Sequence, residues 1–347
     1  MDFKGRLALL KKSIKGLGLD SFLVTDDVNI SYLSGFTGSD SMLMITPKRS
    51  FFITDSRYIE EAMDSVSGFS FEAVKESTYK TLGSIVKAGR LKRMGFESAN
   101  LPYAAVEKLK TEIPAIDAVP VRDAIEELRA VKEPSEIAAV KKSVSLTKLI
   151  LGGVLKSIRR SDRERDLAGR IEVGFLEHGA ACAFRPIVAS GRNSSKPHAS
   201  PGSSRIGANG FTMIDLGCKL NGYCADMTRT IVTGAVTDRF AAIYTVVRAA
   251  QKRAIDKIRH GVRAGEVDFA ARGYIASMGY GKYFGHSVGH GVGMKIHEKP
   301  TVSRFNDSFL MAGMVLTVEP AIYIPGFGGV RIEDMVLVTD KGCEVLT

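Results

Sequence analysis

Cysteine is scarce in this chain, with four residues among 347. Cys182, Cys218, Cys224 and Cys343 form no C-x-x-C pair and no dense framework. That excludes a disulfide scaffold and leaves reduced thiols in a cytoplasmic protein as the expectation. Long apolar runs are missing as well. No stretch of about 18 apolar residues occurs, so no transmembrane helix and no membrane partner are expected. The opening segment MDFKGRLALLKKSIKGLGLD carries charges at helical intervals and has no unbroken apolar core, so it is not expected to be a signal peptide. Basic runs of the kind that grip nucleic acid are also absent. The net charge is +10, yet clusters such as Lys11-Lys12, Arg159-Arg160 and Arg163 mostly have acids nearby. A basic solvated surface is expected, with no nucleic-acid partner. What is present is an ordinary balance of 45% hydrophobic and 25% charged residues, which fits a soluble globular chain of two domains.

The first part reads as a small α/β domain over residues 1–125. Residues 1–20 predict an amphipathic helix with Leu7, Leu10, Ile14 and Leu17 on one face. Short strands follow at SFLVT, SMLMIT and SFFITD, with FEAV, RMGFES and AIDAVPV as further strands. TYKTLGSIVKAGRL and AAVEKLKTEI read as helices between them, and this alternation points to an α/β layer.

Residues 126–347 read differently. A long helix is predicted from Pro134 to Arg160, with Gly152-Gly153 as its weak point. A second helix opens with Asp162 as candidate N-cap and closes at Gly179, and a polar loop leads to a hairpin over 211–232. The order then recurs: a long helix from Thr237, a shorter one from Ala264, a glycine- and histidine-rich stretch, and a hairpin over 314–338. Without residue-level similarity, this recurrence of elements predicts a pseudo-symmetric α+β domain, a curved antiparallel sheet with helices outside it.

The two hairpins carry the chemistry. Asn221-Gly222 is a strong two-residue turn signal, because both positions must tolerate positive φ. With that turn, Leu220 faces Tyr223 and Asp215 faces Thr228, so Asp215 and Asp226 are same-face diagonal neighbours roughly 7 Å apart at Cα. With PGFGG as the second loop, Ile324 faces Val330 and Glu319 faces Met335, which makes Glu333 a same-face neighbour of Glu319. A lone strand acid is more often a salt-bridge partner than a ligand. Two hairpins that each present a same-face pair are not explained that way. Four like charges on a buried face are unfavourable without cations. Two divalent ions about 3.5–4 Å apart resolve the conflict. Oxygen ligands plus the imidazole of His290, which lies between Gly289 and Gly291, suit manganese, cobalt, iron or zinc. His178 and His260 precede glycines at helix ends and read as C-terminal capping residues. GHSVGHGVG is not followed by a P-loop lysine, so phosphate binding is not indicated.

At IDLG, DMTRT, GHGVG, VEP and RIED the sequence resembles the family of aminopeptidase P, prolidase and methionine aminopeptidase, whose catalytic domain has the pita-bread fold. YLSGFTGSDSMLMIT and FFITDSRY resemble the N-terminal domain of the Xaa-Pro peptidases, which methionine aminopeptidases lack. The resemblance implies a pita-bread (creatinase/aminopeptidase-like) domain after a smaller creatinase/prolidase-like one. It implies two divalent metals per subunit, manganese first. Asp215 would chelate one metal, His290 and Glu319 the other, and Asp226 and Glu333 would bridge them. A metal-bridging hydroxide would attack the Xaa-Pro carbonyl, with Glu319 handling the proton.

His198, His286 and His297 would line the substrate site. His198 and His297 would also position the carbonyl and stabilise the tetrahedral intermediate. His286 has a second reading as a partner of the ligands. Arg331 would orient the acids by a bidentate contact. A homodimer is implied, as are peptide substrates with proline at the second position. SGFTGSD points to aminopeptidase P over prolidase, the alternative that cleaves only Xaa-Pro dipeptides. Metal-free pita-bread binding modules and creatinase-like hydrolases form a different class. Both predict missing ligands, whereas all five positions are filled here.

Overall fold

Local capping signals set the first elements. In the computed structural model, which describes residues 1–159, 161–207 and 210–347, the Asp2 carboxylate accepts from the Gly5 amide at 2.9 Å. The helix Phe3–Gly16 follows and buries Arg6, Leu7, Leu10 and Ile14. Leu17 does not share that face. It caps the helix end and is 49% exposed.

A mixed six-stranded sheet organises this first unit, Met1–Arg129. Its strands are β1 (Ser21–Val24), β2 (Ser41–Ile45), β3 (Ser50–Thr54), β4 (Ser70–Ala73), β5 (Arg93–Glu97) and β6 (Asp117–Val121), in the order β4-β3-β2-β1-β5-β6. Central β1 is buried at every position, which requires cover on both sheet faces. Two helices absent from the sequence reading, Asp27–Ser34 and Ile59–Ser65, are eight and seven residues long. That is too short for a 3.6-residue apolar period to show. The unit runs to Arg129 and not to residue 125. Buried Asn29 explains the difference: its Oδ1 accepts from Arg129 at 2.7 Å and its Nδ2 donates to Glu126 at 2.6 Å.

The second unit, Ala130–Thr347, repeats helix, helix, hairpin. Pro134–Lys156 opens with the Glu133 amide donating to Glu136, and it runs unbroken through Gly152 and Gly153. Arg160, the expected end of that helix, lies outside the described residues. The next helix, Glu164–Glu177, is capped by Arg163, whose amide donates to Asp166 at 2.8 Å. Asp162 is not its cap, because its carboxylate is taken up by two contacts from Arg170 at 2.8 and 2.7 Å. The second pair of helices is Asp238–Ile255 and Ala264–Ser277.

His178 does end its helix, with Nδ1 2.8 Å from the Gly174 carbonyl. His260 does not, since its helix stops at Ile255. Its Nδ1 accepts from the Ala312 amide at 3.2 Å. No helix among the described residues is long and apolar enough to cross a membrane.

Each half packs its helices on its own hairpin. In the first, Leu167, Ile171 and Phe175 meet Ile214, Leu216 and Met227. In the second, Ile243, Val247 and Ile275 meet Leu316, Val318 and Val336. Asn221 (φ 50°) and Gly222 (φ 84°) form the first turn, so Leu220 pairs with Tyr223 and Asp215 with Thr228.

The second hairpin is shifted by two residues from the expected register. Ile324 pairs with Gly328, Ala321 with Arg331 and Thr317 with Met335. The turn is therefore shorter, with Gly326 at φ 76°. Gly328 and Gly329 serve as strand residues, because a Cβ on either would run into the carbonyls of Gly191 and Ser194. A shift of two preserves facing, and continuing the register sets Glu319 opposite Glu333.

The hairpins are stitched to each other. Thr230 Oγ1 donates to the Arg331 carbonyl at 2.9 Å, and the Glu333 amide donates to the Thr228 carbonyl at 3.1 Å. Arg229 reaches Asp334 at 2.6 Å.

Candidate metal centre

The seam between the hairpins brings the acids together. Asp226, His290 and Glu333 each offer a ligand atom, and these atoms lie within 4.8 Å of one another. His290 Nε2 is 3.6 Å from Asp226 Oδ2 and 3.4 Å from Glu319 Oε1. Its Nδ1 faces the Gly291 carbonyl at 3.1 Å, which leaves Nε2 directed at the acids. The glycines beside His290 are needed for a reason other than ring approach. A Cβ on Gly289 or Gly291 would collide with the carbonyls of Thr317 and Lys299 on neighbouring strands.

Glu333, Glu319 and Asp215 each accept a hydrogen bond from a neighbouring side chain. Thr228 Oγ1 donates to Glu333 at 2.6 Å, and Thr317 Oγ1 to Glu319 at 3.3 Å. Asp226 follows Ala225, whose carbonyl lies so close to Gly217 that a Cβ there would overlap it. Asp215 Oδ2 accepts from Arg331 Nη2 at 2.5 Å. Asp215 Oδ1 is buried and accepts no hydrogen bond among the described residues.

Arg331 does not clamp the acids in bidentate fashion. Its other nitrogens turn away, Nη1 to Tyr323 Oη at 2.6 Å and the Pro197 carbonyl at 3.1 Å, Nε to Thr228 Oγ1 at 3.0 Å. The planar fork serves four different acceptors, which a point charge cannot do.

Electrostatically the cluster is incomplete as it stands. Burial and then the charges of Glu333 and Asp215 push Asp226 well above the usual carboxylate range. Burial and then Glu319 do the same to Glu333. Burial raises Glu319 to about 7. Asp215 is raised by burial against the pull of Arg331. Burial lowers His290 to about 4, so its ring is neutral at neutral pH. Burial opposes the charge on Arg331, but the surrounding Tyr323, Asp215, Glu319 and Glu333 more than offset it. A set of mutually repelling buried acids, an orphaned carboxylate oxygen and a neutral imidazole fit a site for divalent cations.

The remaining histidines surround this cluster. The rings of His297 and His290 meet edge to face, 4.3 Å between centroids. His286 has Nε2 3.3 Å from Tyr323 Oη and Nδ1 2.8 Å from the Ser287 carbonyl. Burial lowers its pKa to about 4. His198 is exposed, yet its charge bears on Asp215, His286 and His297. Three polar members were missed in the sequence: Thr228, Thr317 and Tyr323. Their signal was position: Thr228 was already placed opposite Asp215, and Tyr323 shares a strand with Ala321, the partner of Arg331.

Comparison with known proteins gives the family of the chain. An Xaa-Pro dipeptidase of Pyrococcus horikoshii is 36% identical over 334 residues, covering 95% of this chain and 93% of that one. The structure of an Xaa-Pro dipeptidase from Bacillus anthracis superposes with a TM-score of 0.96 at 36% identity, covering 99% and 97% of the two chains. An X-Pro aminopeptidase from Thermotoga maritima gives 0.89 at 32% identity, covering 97% of each. Residues 6–131 match the creatinase/prolidase N-terminal domain, and residues 138–340 match metallopeptidase family M24. With its acid cluster carried on a pita-bread domain, the chain belongs to metallopeptidase family M24.

Proposed function

We propose that this enzyme is an Xaa-Pro dipeptidase that hydrolyses the bond before proline, with two divalent metals held by Asp215, Asp226, His290, Glu319 and Glu333. The observation that carries the reading is the convergence of Asp226, His290 and Glu333, whose ligand atoms lie within 4.8 Å of one another, with Glu319 3.4 Å from His290 Nε2 and Asp215 Oδ1 accepting no hydrogen bond among the described residues. Enzymes of the family use divalent metals. Bound there, such cations would polarise the scissile carbonyl and make water acidic enough to react near neutral pH.

The chain's own residues do the rest. Glu319 takes and returns a proton at the carboxylate facing His290. His286 and His297, both lowered by burial, meet substrate as neutral rings. With His198 they present donors and acceptors to a carbonyl and a proline ring that has no N–H. Arg331 holds Asp215 and Tyr323 in place.

The aminopeptidase P reading gives way to the dipeptidase reading for two reasons. Two relatives that match nearly the whole chain at 36% identity are named Xaa-Pro dipeptidases. The SGFTGSD stretch also has a structural explanation. Gly35 closes a helix at φ 82°, Phe36 is buried and Asp40 turns at φ 52°. It therefore carries no signal about substrate length. Manganese as the metal and a homodimer belong to the same proposal and rest on the resemblance, and a cytoplasmic location rests on the few, unpaired cysteines.

The test is a panel of Xaa-Pro and Xaa-Pro-Ala peptides with the chelated protein reloaded with manganese, cobalt or zinc. Cleavage confined to dipeptides supports the proposal. Tripeptide cleavage at comparable rates would restore the aminopeptidase reading. Inactivity on both, with fewer than two metals bound, would leave a metal-free binding module.

A further inference from the structure

His198 sits in a segment with little regular structure. Residues 190–202 begin at the last residue of the strand Ile187–Ser190 and contain one short 3-10 turn, Gly191–Ser195, and otherwise loop. The segment's own hydrogen bonds are local, such as the Ala199 amide to the Lys196 carbonyl at 3.2 Å, and do not tie its two ends together. Its order comes from outside, and one side chain supplies much of it.

Glu164, fully buried at the start of the Glu164–Glu177 helix, points into this segment. Its Oε1 accepts from the Ser190 amide at 2.6 Å. Its Oε2 accepts from Asn193 Nδ2 and from the Gly202 amide, each at 2.9 Å. The two ends of the segment and one residue between are thus drawn to one carboxylate. Charge-assisted bonds of this kind are the stronger class, and burial strengthens them. The opposite side is fixed by the second hairpin. Arg331 takes the Pro197 carbonyl, and Ala199 packs with Ala321 and Tyr323. His198 is the exposed residue between those two fixed neighbours.

The second half has a counterpart. Asp268, buried on the helix Ala264–Ser277, accepts from the Val288 amide at 3.0 Å and pairs with Arg272 at 2.6 and 2.8 Å. Arg272 in turn donates to the carbonyls of Phe284 at 2.9 Å and His286 at 2.6 Å. In each half, a buried carboxylate on the shorter helix fixes a segment that carries a histidine of the site.

We propose that Glu164 is a positioning residue for the reaction, holding the 190–202 segment so that His198 meets the substrate carbonyl. The proposal rests on the reading of His198 as a substrate-site residue. Glu164 touches no reacting atom. Its contribution is geometric, and misplacing a positioned group by about 1 Å can cost on the order of a hundredfold in rate.

The test uses Glu164→Gln in the full-length, metal-loaded enzyme, alone and combined with His198→Ala. The amide keeps the shape but replaces one acceptor oxygen with a donor facing other donors. Hydrogen exchange across 190–202 should quicken about tenfold, while strands Phe211–Leu216 and Met227–Val232 keep wild-type protection. On a Xaa-Pro dipeptide, kcat should fall roughly tenfold or more, with KM moving less. In the His198→Ala background the same change should cost no more than about twofold, because the group it positions is gone.

Wild-type exchange across the segment, or an equal loss of kcat in both backgrounds, would overturn the proposal. If Glu164→Gln fails to fold, Asn193→Ala decides. It removes one of the three donors and should show the same coupling to His198 at smaller size. A wild-type enzyme inactive on Xaa-Pro dipeptides would end the functional reading, and exchange would still show whether Glu164 holds the segment.

Discussion

Arg331 Nη2 lies 2.5 Å from Asp215 Oδ2, and both side chains are nearly sealed from solvent, at 5% and 11% exposure. A charge pair in that setting is sensitive to loss of one partner, because the other is left buried and alone. Arg331→Met should therefore destabilise the metal-free protein by about 3–5 kcal/mol, as read by urea unfolding. Arg331→Lys should keep part of that stability and still lose most activity, since one ammonium cannot serve Asp215, Tyr323, Thr228 and the Pro197 carbonyl together. Near-wild-type turnover in Arg331→Lys would show that the fork geometry is unimportant.

The buried acids also fix the sign of a pH effect. Asp226, Glu333 and Glu319 have folded pKa values raised above their unfolded ones. Each binds its proton more tightly when folded, so its contribution is complete below the unfolded pKa and is lost as pH rises through the folded value. His286 and His290, lowered to about 4, act oppositely but are spent once pH exceeds about 6.5, the unfolded histidine value. From about pH 6.5 to about pH 7, the folded value of Glu319, the acids dominate. The chelated protein should lose up to roughly 1.4 kcal/mol per pH unit for each proton released. With divalent metal bound, the slope should flatten. Urea midpoints at several pH values, with and without chelator, measure this. A metal-free protein that grows more stable over that interval would contradict the assignment.

Function and stability should part company at Asp226. Replacing it with asparagine removes one repelling charge from a buried set while keeping nearly the same volume. Asp226→Asn should bind fewer than two metals and lose roughly a thousandfold or more in activity. The same variant, once chelated, should melt no lower than the chelated wild type. Elemental analysis, a peptidase assay and a thermal melt on one preparation check all three. Full metal occupancy with full activity would refute a bridging role for Asp226.

Much of this site was legible where its chemistry is local. The Asn221-Gly222 turn fixes the pairing of Leu220 with Tyr223 and Asp215 with Thr228, because the φ values it needs are a property of those two residues. The second hairpin was misread by two residues because the reason for its glycines is distant. Gly328 and Gly329 make room for Gly191 and Ser194, which no local pattern reveals. The error cost little for the acids, since a shift of two keeps every side chain on its face. Tyr323 and Thr228 were missed as site members for a related cause. They acquire a role only when Arg331 reaches them, Thr228 across the seam and Tyr323 within its own hairpin. In the first unit, β1 was read correctly, while the short helix Asp27–Ser34 was lost for want of length.

The seam between the hairpins also governs when the enzyme can act. Thr228 and Glu333, bonded at 2.6 Å, stand 105 residues apart in the chain. Contacts of such separation form late, after the entropy of closing a long loop has been overcome. A chain with one hairpin built holds two acids and half a cradle. On the proposed metal site, hydrolytic competence would be withheld from partly folded molecules, and metal uptake would report that the two halves have met.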